Sequence, residues 1–258
     1  MTPKPADEER RAVAEVGQRH RKMLMFMNGR RICRGLSRTV VAAALLAGAV
    51  GCGGGEDDPA KAAWEQSVAP ERLCGGAAVS AGAGKALKVI TGSSRFEASA
   101  EKSTVAHAAE EVVGIVSGLI PKPVGNKGDV CRIYTPVGTP GYELRVTWRL
   151  SNEATGADTK PPSGFTRLEI GEWAAAAHDE AYVRFICRSQ KLPGSGQNPV
   201  NVEMNVERMG MPKEPEGDVE ALKRAYATVA HSVSLAMAKQ LGCEGDGGIE
   251  AQPSLDPA

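Results

Sequence analysis

Two stretches of this chain alternate apolar and polar side chains, a pattern that a helix would scatter around its whole circumference. Tyr142, Leu144, Val146, Trp148 and Leu150 alternate with Glu143, Arg145, Thr147, Arg149 and Ser151. Val200, Val202, Met204 and Val206 alternate with Asn201, Glu203, Asn205 and Glu207. A period of two gives each strand one buried and one wet face, as in antiparallel sheet. Val130 to Tyr134, Phe165 to Ile170 and Ala181 to Arg188 complete a set of about five strands, with His178-Asp179-Glu180 as the turn leading into Ala181.

Helical spacing is clear in two places. Val105, Ala108, Val112, Val116 and Leu119 recur every three or four residues, with Ser103 as a cap and Pro121 as the stop. Val219, Leu222, Tyr226, Val229, Val233, Met237 and Leu241 do so over a longer helix, opened by Asp218 and closed by Gly242. A third helix, weakened by glycines at 75, 76, 82 and 84, is expected from about Cys74 to Ile90, closed by Thr91-Gly92. Helices segregated from a run of strands imply an α+β fold: an antiparallel sheet with two to three helices packed on one face.

The N-terminal region constrains location. Arg30, Arg31, Arg34 and Arg38 form a basic cluster free of acidic residues, followed by the apolar run Thr39 to Val50 and then Gly51-Cys52. Basic flank, short apolar core and small residues describe a secretory signal over residues 1–51. The core is too short to span a bilayer, which takes roughly 20 helical residues. Residues 1–22 are polar, and Met23, Met25 and Met27 each stand where a conventional signal would begin. Arg30-Arg31 admits twin-arginine export, although Gly29 and Cys33 depart from that pattern.

Ala49-Val50-Gly51-Cys52 resembles the lipobox of bacterial lipoproteins, with Ala49 where leucine is usual. The resemblance implies a diacylglyceryl group on the Cys52 thiol, cleavage just before it, and a membrane partner reached through that lipid. Residues 52–62 then read as lipidated cysteine and flexible tether, 63–243 as one domain, and 244–258 as a disordered polar tail.

The first 51 residues hold ten of the 31 basic and four of the 31 acidic residues, leaving 21 basic against 27 acidic from Cys52 onward. Such a balance offers no basic face to phosphates and excludes a nucleic-acid partner. Within the domain stand Cys74, Cys131, Cys187 and Cys243. An even count in an exported chain points to two disulfides. Three pairings are possible; Cys74–Cys131 and Cys187–Cys243 are favoured because each would pin a helix end to a strand and enclose similar lengths of chain. No Cys-x-x-Cys and no histidine at ligand spacing supports a metal site.

Catalytic signatures are equally sparse. Gly114-Ile115-Val116-Ser117-Gly118 lacks the spacing of a nucleophile elbow and falls on a helix. Gly82-Ala83-Gly84-Lys85-Ala86 lacks the earlier glycine and the following Ser or Thr of a phosphate loop. His107, His178 and His231 share no ligand spacing and read as helix-surface or turn residues; Glu110-Glu111 reads as a solvated helix face.

With its lipobox, Gly-rich tether, the run Pro70-Glu71-Arg72-Leu73-Cys74-Gly75-Gly76 and the Cys-Arg pairs at 131 and 187, the chain resembles the small secreted lipoproteins of actinobacteria. That resemblance implies a lipid-anchored protein on the outer face of the cell membrane; it implies no reaction and no cofactor. The expectation is a non-catalytic envelope protein that binds a small ligand or a protein partner. The alternative is a cell-wall or lipid hydrolase whose site is assembled from distant residues.

Overall fold

The computed structural model describes residues 58–139, 141–151, 159–210 and 217–258. The expected signal segment, Cys52 and residues 53–57 of the expected tether lie outside them. The elements in chain order are α1 (Pro59–Gln66), α2 (Ala81–Thr91), α3 (Val105–Val116), β1 (Lys127–Tyr134), β2 (Glu143–Ser151), β3 (Thr166–Leu168), β4 (Trp173–Ala176), β5 (Glu180–Cys187), β6 (Val200–Arg208) and α4 (Val219–Leu241). Helix α1 starts at Pro59, so residues 59–62, expected as tether, are helical, with the Asp58 carboxylate accepting from Ala60 N–H.

Six strands form one antiparallel sheet in the order β1-β2-β6-β5-β4-β3. Register follows the alternation in the sequence. Val146 pairs with Val206, which pairs with Ala181; Trp148 pairs with Met204, which pairs with Val183. All of these are buried. The opposite face aligns Arg145, Glu207 and Glu180, then Arg149, Glu203 and Arg184, so each row brings arginine and glutamate together across strands, although Glu207 and Glu180 meet as like charges.

β4 is the strand beyond the expected five. Its sequence, Trp-Ala-Ala-Ala, has no alternation because all four residues are buried. Ala174 and Ala176 join the core, while Trp173 lies under the guanidinium groups of Arg167 and Arg184, 5.5 and 5.7 Å from the ring centre.

Helix α4 packs on β4, β5 and β6 and is itself flanked by α2 and α3; α3 also packs on β1. The helices lie on the apolar side of the sheet. Their ends follow local chemistry. Ser80, Thr104 and Asp218 cap α2, α3 and α4 by accepting from Ala83, His107 and Ala221 N–H. For α3 the cap is Thr104 rather than Ser103, and the helix stops at Val116 because Ile120 folds back, donating its N–H to the Gly114 carbonyl. A Cβ at Gly114 would lie 2.5 Å from Ile120 Cδ1, so the glycine lets the Ile120 side chain pack directly on the helix. The third expected helix is shorter than read: Pro70–Gly75 is a separate 3-10 turn, and α2 begins at Ala81.

The cysteines are joined Cys74–Cys131 and Cys187–Cys243. A bulge in β1 between Asp129 and Cys131 makes the first bond possible. Asp129 faces the wet side opposite Thr147; the extra residue, Val130, rephases the strand so that Cys131 turns inward beside Val146.

Residues 244–258, expected to be disordered, pack on the domain. Cys243 ties down their start, Ile249 is buried, and Ala258 N–H donates to the Arg167 carbonyl beside a bridge between Leu168 and Pro257. Single buried side chains and backbone hydrogen bonds hold the segment, and neither produces a periodic pattern. His231, expected on a helix surface, lies beneath it with only 4% exposed, Nε2–H donating to the Glu250 carbonyl.

Two outcomes follow from this packing. Cys187→Ser with Cys243→Ser should lower stability by about 2–4 kcal/mol in urea unfolding, since the bond closes a separation of 56 residues. Burial holds His231 below its ordinary value of 6.5, against the opposing pull of the Glu250 carbonyl. The fold therefore favours the neutral ring. Its contribution is complete above about pH 6.5 and declines as pH falls through that value toward the depressed pKa. Urea midpoints between about pH 5 and pH 8 should fall on the acid side less in His231→Gln than in the parent; superimposable slopes would contradict this.

Candidate functional site

The wet face of the sheet is a network of ion pairs already matched within itself. Glu203, with 7% of its side chain exposed, accepts from Arg184 and lies 3.4 Å from Arg149. Asp129 pairs with Arg145 at 2.6 Å and with Arg132 at 3.8 Å, and Arg132 reaches Glu143 at 3.3 Å. Arg184 Nε and Asn205 Oδ1 are buried there without a partner.

At the β1 edge of the sheet, where α3 packs on it, lies a hollow of about 390 Å³, open to solvent. That volume falls within the roughly 300–1,000 Å³ of small-molecule sites. Its walls are Ile115, Ile120, Pro121, Pro123, Val130 and the Trp148 ring; Lys102, His107, Glu111, Lys127 and Asp129 stand among them. The C-terminal end of α3, turned back at Gly114, supplies Ile115 and Ile120. The bulge in β1 supplies Val130.

At its base Gly128 pairs with Trp148 across β1 and β2. The indole lies over this glycine so closely that a Cβ there would fall 2.7–2.8 Å from Cζ2, Cε2 and Nε1. Trp148 is 1% exposed, and Nε1 has no hydrogen-bond partner. A buried donor left unmatched costs about 1–3 kcal/mol, and this one is packed against Gly128 and closed to the hollow.

The charges around it differ in how far they are already used. Asp129 is committed to Arg145 and Arg132. Glu111 lies 3.7 Å from His107 Nε2, one helical turn away, and Glu110 lies 4.0 Å from the same ring. Among the described residues Lys102 and Lys127 have no ion-pair partner, and the first turn of α3 has no acidic residue to offset its positive pole.

The remaining residues singled out from sequence are dispersed. His178 sits in the β4–β5 turn beside Asp179, and Ser117 is the C-cap of α3. Gly82 to Lys85 form the first turns of α2. Cys52 lies outside the described residues. Among the described residues no three His, Cys, Asp or Glu side chains converge as metal ligands. Trp148 carried no functional signal in the sequence: its place in the alternation marks it as core, and only its neighbour Gly128, a glycine in a strand, hints at a close approach.

No protein-family model, curated protein or solved structure matches the chain, so the site is read from its own chemistry. Gly128→Val should push the indole off the glycine and lower stability by about 1–3 kcal/mol. A shifted tryptophan emission together with a lower Tm would report it; an unchanged spectrum and Tm would show that the contact is loose.

Proposed function

We propose that this chain is a lipid-anchored protein of the outer face of the cell membrane, akin to the small secreted actinobacterial lipoproteins, and that its domain binds a small ligand in the hollow beside Trp148 without transforming it. The observation that carries the binding half is the open hollow of about 390 Å³ walled by Ile115, Ile120, Pro121, Pro123, Val130 and the Trp148 ring. The anchoring half rests on the basic cluster, apolar run and Cys52. Two disulfides support it, since such bonds persist in oxidising compartments outside the cytosol.

The two halves are tested on one preparation. Mass spectrometry of the N-terminal peptide should find Cys52 as the first residue and acylated, and Cys52→Ala should lose the acyl group and membrane retention. An unmodified N-terminus elsewhere would overturn the anchor. Native mass spectrometry of protein gently extracted from its envelope should show a bound small molecule that is lost in Trp148→Phe. A ligand-free spectrum would count against the binding reading.

A further inference from the structure

Helix α1 follows Cys52 so closely that it also decides which way the domain faces. We infer that the end of the domain carrying Trp64 of α1 and Val137 of the β1–β2 turn lies against the surface of the lipid bilayer. This inference rests on the lipid-anchor reading above and adds the orientation of the domain on its anchor.

Both side chains are apolar and exposed, Trp64 by 44% and Val137 by 60%. The elements that carry them are packed together: a Cβ at Gly138 would lie 2.5 Å from the Cβ of Ala60. Helix α1 buries none of its residues, so core packing gives no account of a tryptophan there. Its mount is nevertheless firm. The Ser67 N–H and hydroxyl both donate to the Trp64 carbonyl, and Arg95 Nε–H donates to the Ser67 hydroxyl oxygen. An indole held in place but left outside the core suits a bilayer interface, where the ring sits at headgroup level and its N–H stays wet. Val219, 50% exposed, stands at this end too. It opens α4 seven residues before Tyr226, whose hydroxyl meets that of Tyr142 beside the start of β2.

Exposed apolar side chains alone would not choose a face. A second group, Leu119, Ile120 and Val124, precedes β1 at the opposite end of that strand. The covalent chain decides between them. Six residues separate Cys52 from Pro59, and even fully extended they reach no further than about 25 Å. β1 has eight residues and is itself about 25 Å long. Val124 stands beyond one end of it, and Gly138, with α1 against it, beyond the other. With Val124 turned to the bilayer, the chain from Cys52 would have to cover that whole length together with the turns at both ends, which is beyond its reach. With Trp64 and Val137 turned to the bilayer, it has length to spare. Lys61 and Glu65 flank Trp64 with opposite charge, so the contact is made by the indole and its apolar neighbours and does not call for anionic lipid.

The test reconstitutes the full protein, extracted from its envelope in a non-ionic detergent, into phosphatidylcholine vesicles with and without a lipid bearing a nitroxide near the headgroup end of its acyl chain. Trp148 and Trp173, the other two tryptophans, are 1% and 6% exposed, so the nitroxide reaches Trp64 first. The parent should lose most of its Trp64 emission to the nitroxide, and that loss should vanish in Trp64→Phe. With Trp64→Phe as background, Val137→Trp should restore the quenching and Val124→Trp should not. The mass of the N-terminal peptide from the same sample reports whether Cys52 is acylated. An acylated, vesicle-bound parent with unquenched Trp64, or Val124→Trp quenched as strongly as Val137→Trp, would overturn the orientation and leave the anchor standing. A chain neither acylated nor bound to vesicles would overturn both. Binding and quenching without an acyl group would support this face and overturn the anchor alone.

Discussion

Helix α4 must be buried on nearly every side, and the rest of the domain is arranged to let that happen. Its apolar face, from Leu222 through Tyr226, Val229, Val233 and Met237 to Leu241, lies among residues with almost no solvent contact. The sheet alone cannot enclose a helix of 23 residues, so α2 and α3 take the other sides. Small residues make the close approach possible: Ala225, Ala227, Ala230 and Ala238 add little bulk. Ser232 solves the accompanying polar problem by accepting from Ser80 N–H and donating to the Ala78 carbonyl, which satisfies the entry to α2 from the side of α4. Ser234 returns its hydroxyl proton to the Ala230 carbonyl one turn earlier.

The sheet divides its two faces sharply as a consequence. The side toward α4 is apolar, and the other is covered by its own charges. Glu203 and Arg184 are nearly as sheltered as core residues although no helix lies over them, because Trp173 and neighbouring long side chains wall them off. A pair so desolvated gives up much of its Coulomb energy, and its value lies in fixing which strands meet. A one-residue slip of β5 against β6 would place Arg184 beside Met204 or Val202 and leave Glu203 without its cation.

The hollow beside Trp148 is a by-product of the same constraints. α3 is drawn toward β1 by its packing on α4, yet it ends early at the Gly114–Ile120 return. The bulge that turns Cys131 inward for its disulfide also displaces Val130. Between the shortened helix and the rephased strand there is space, and the indole packed on Gly128 closes its base. The orphaned Nε1 sits there because strand pairing places Trp148 opposite a glycine, which has no side chain to accept from it.

Wherever structure arises from neighbours in the chain, it is legible in the residues. The alternation of β2 and β6, the periodicity of α4, its Asp218 cap and its Gly242 stop all follow from local rules, and the α+β class follows from their order. The two cysteine pairs, which join sites more than fifty residues apart, were open to three combinations in sequence and are resolved by which strand and helix ends meet. β4 is invisible because burial on both faces erases alternation and alanine carries little strand preference. The C-terminal segment is invisible because it is held by backbone groups and by Ile249 alone deep in the core. The site shows the same division. Trp148 and His107 are plain in the sequence as a core aromatic and a helix residue, whereas Lys102 and Lys127 carry no signal there, the latter because β1 begins three residues before the expected Val130. Sequence alone determined where β2, β6 and the long helix run and which side of each is wet. Only the tertiary structure decided that an indole N–H would be buried without a partner beside two unpaired lysines, since hydrogen-bond satisfaction and charge pairing depend on residues brought together from distant parts of the chain.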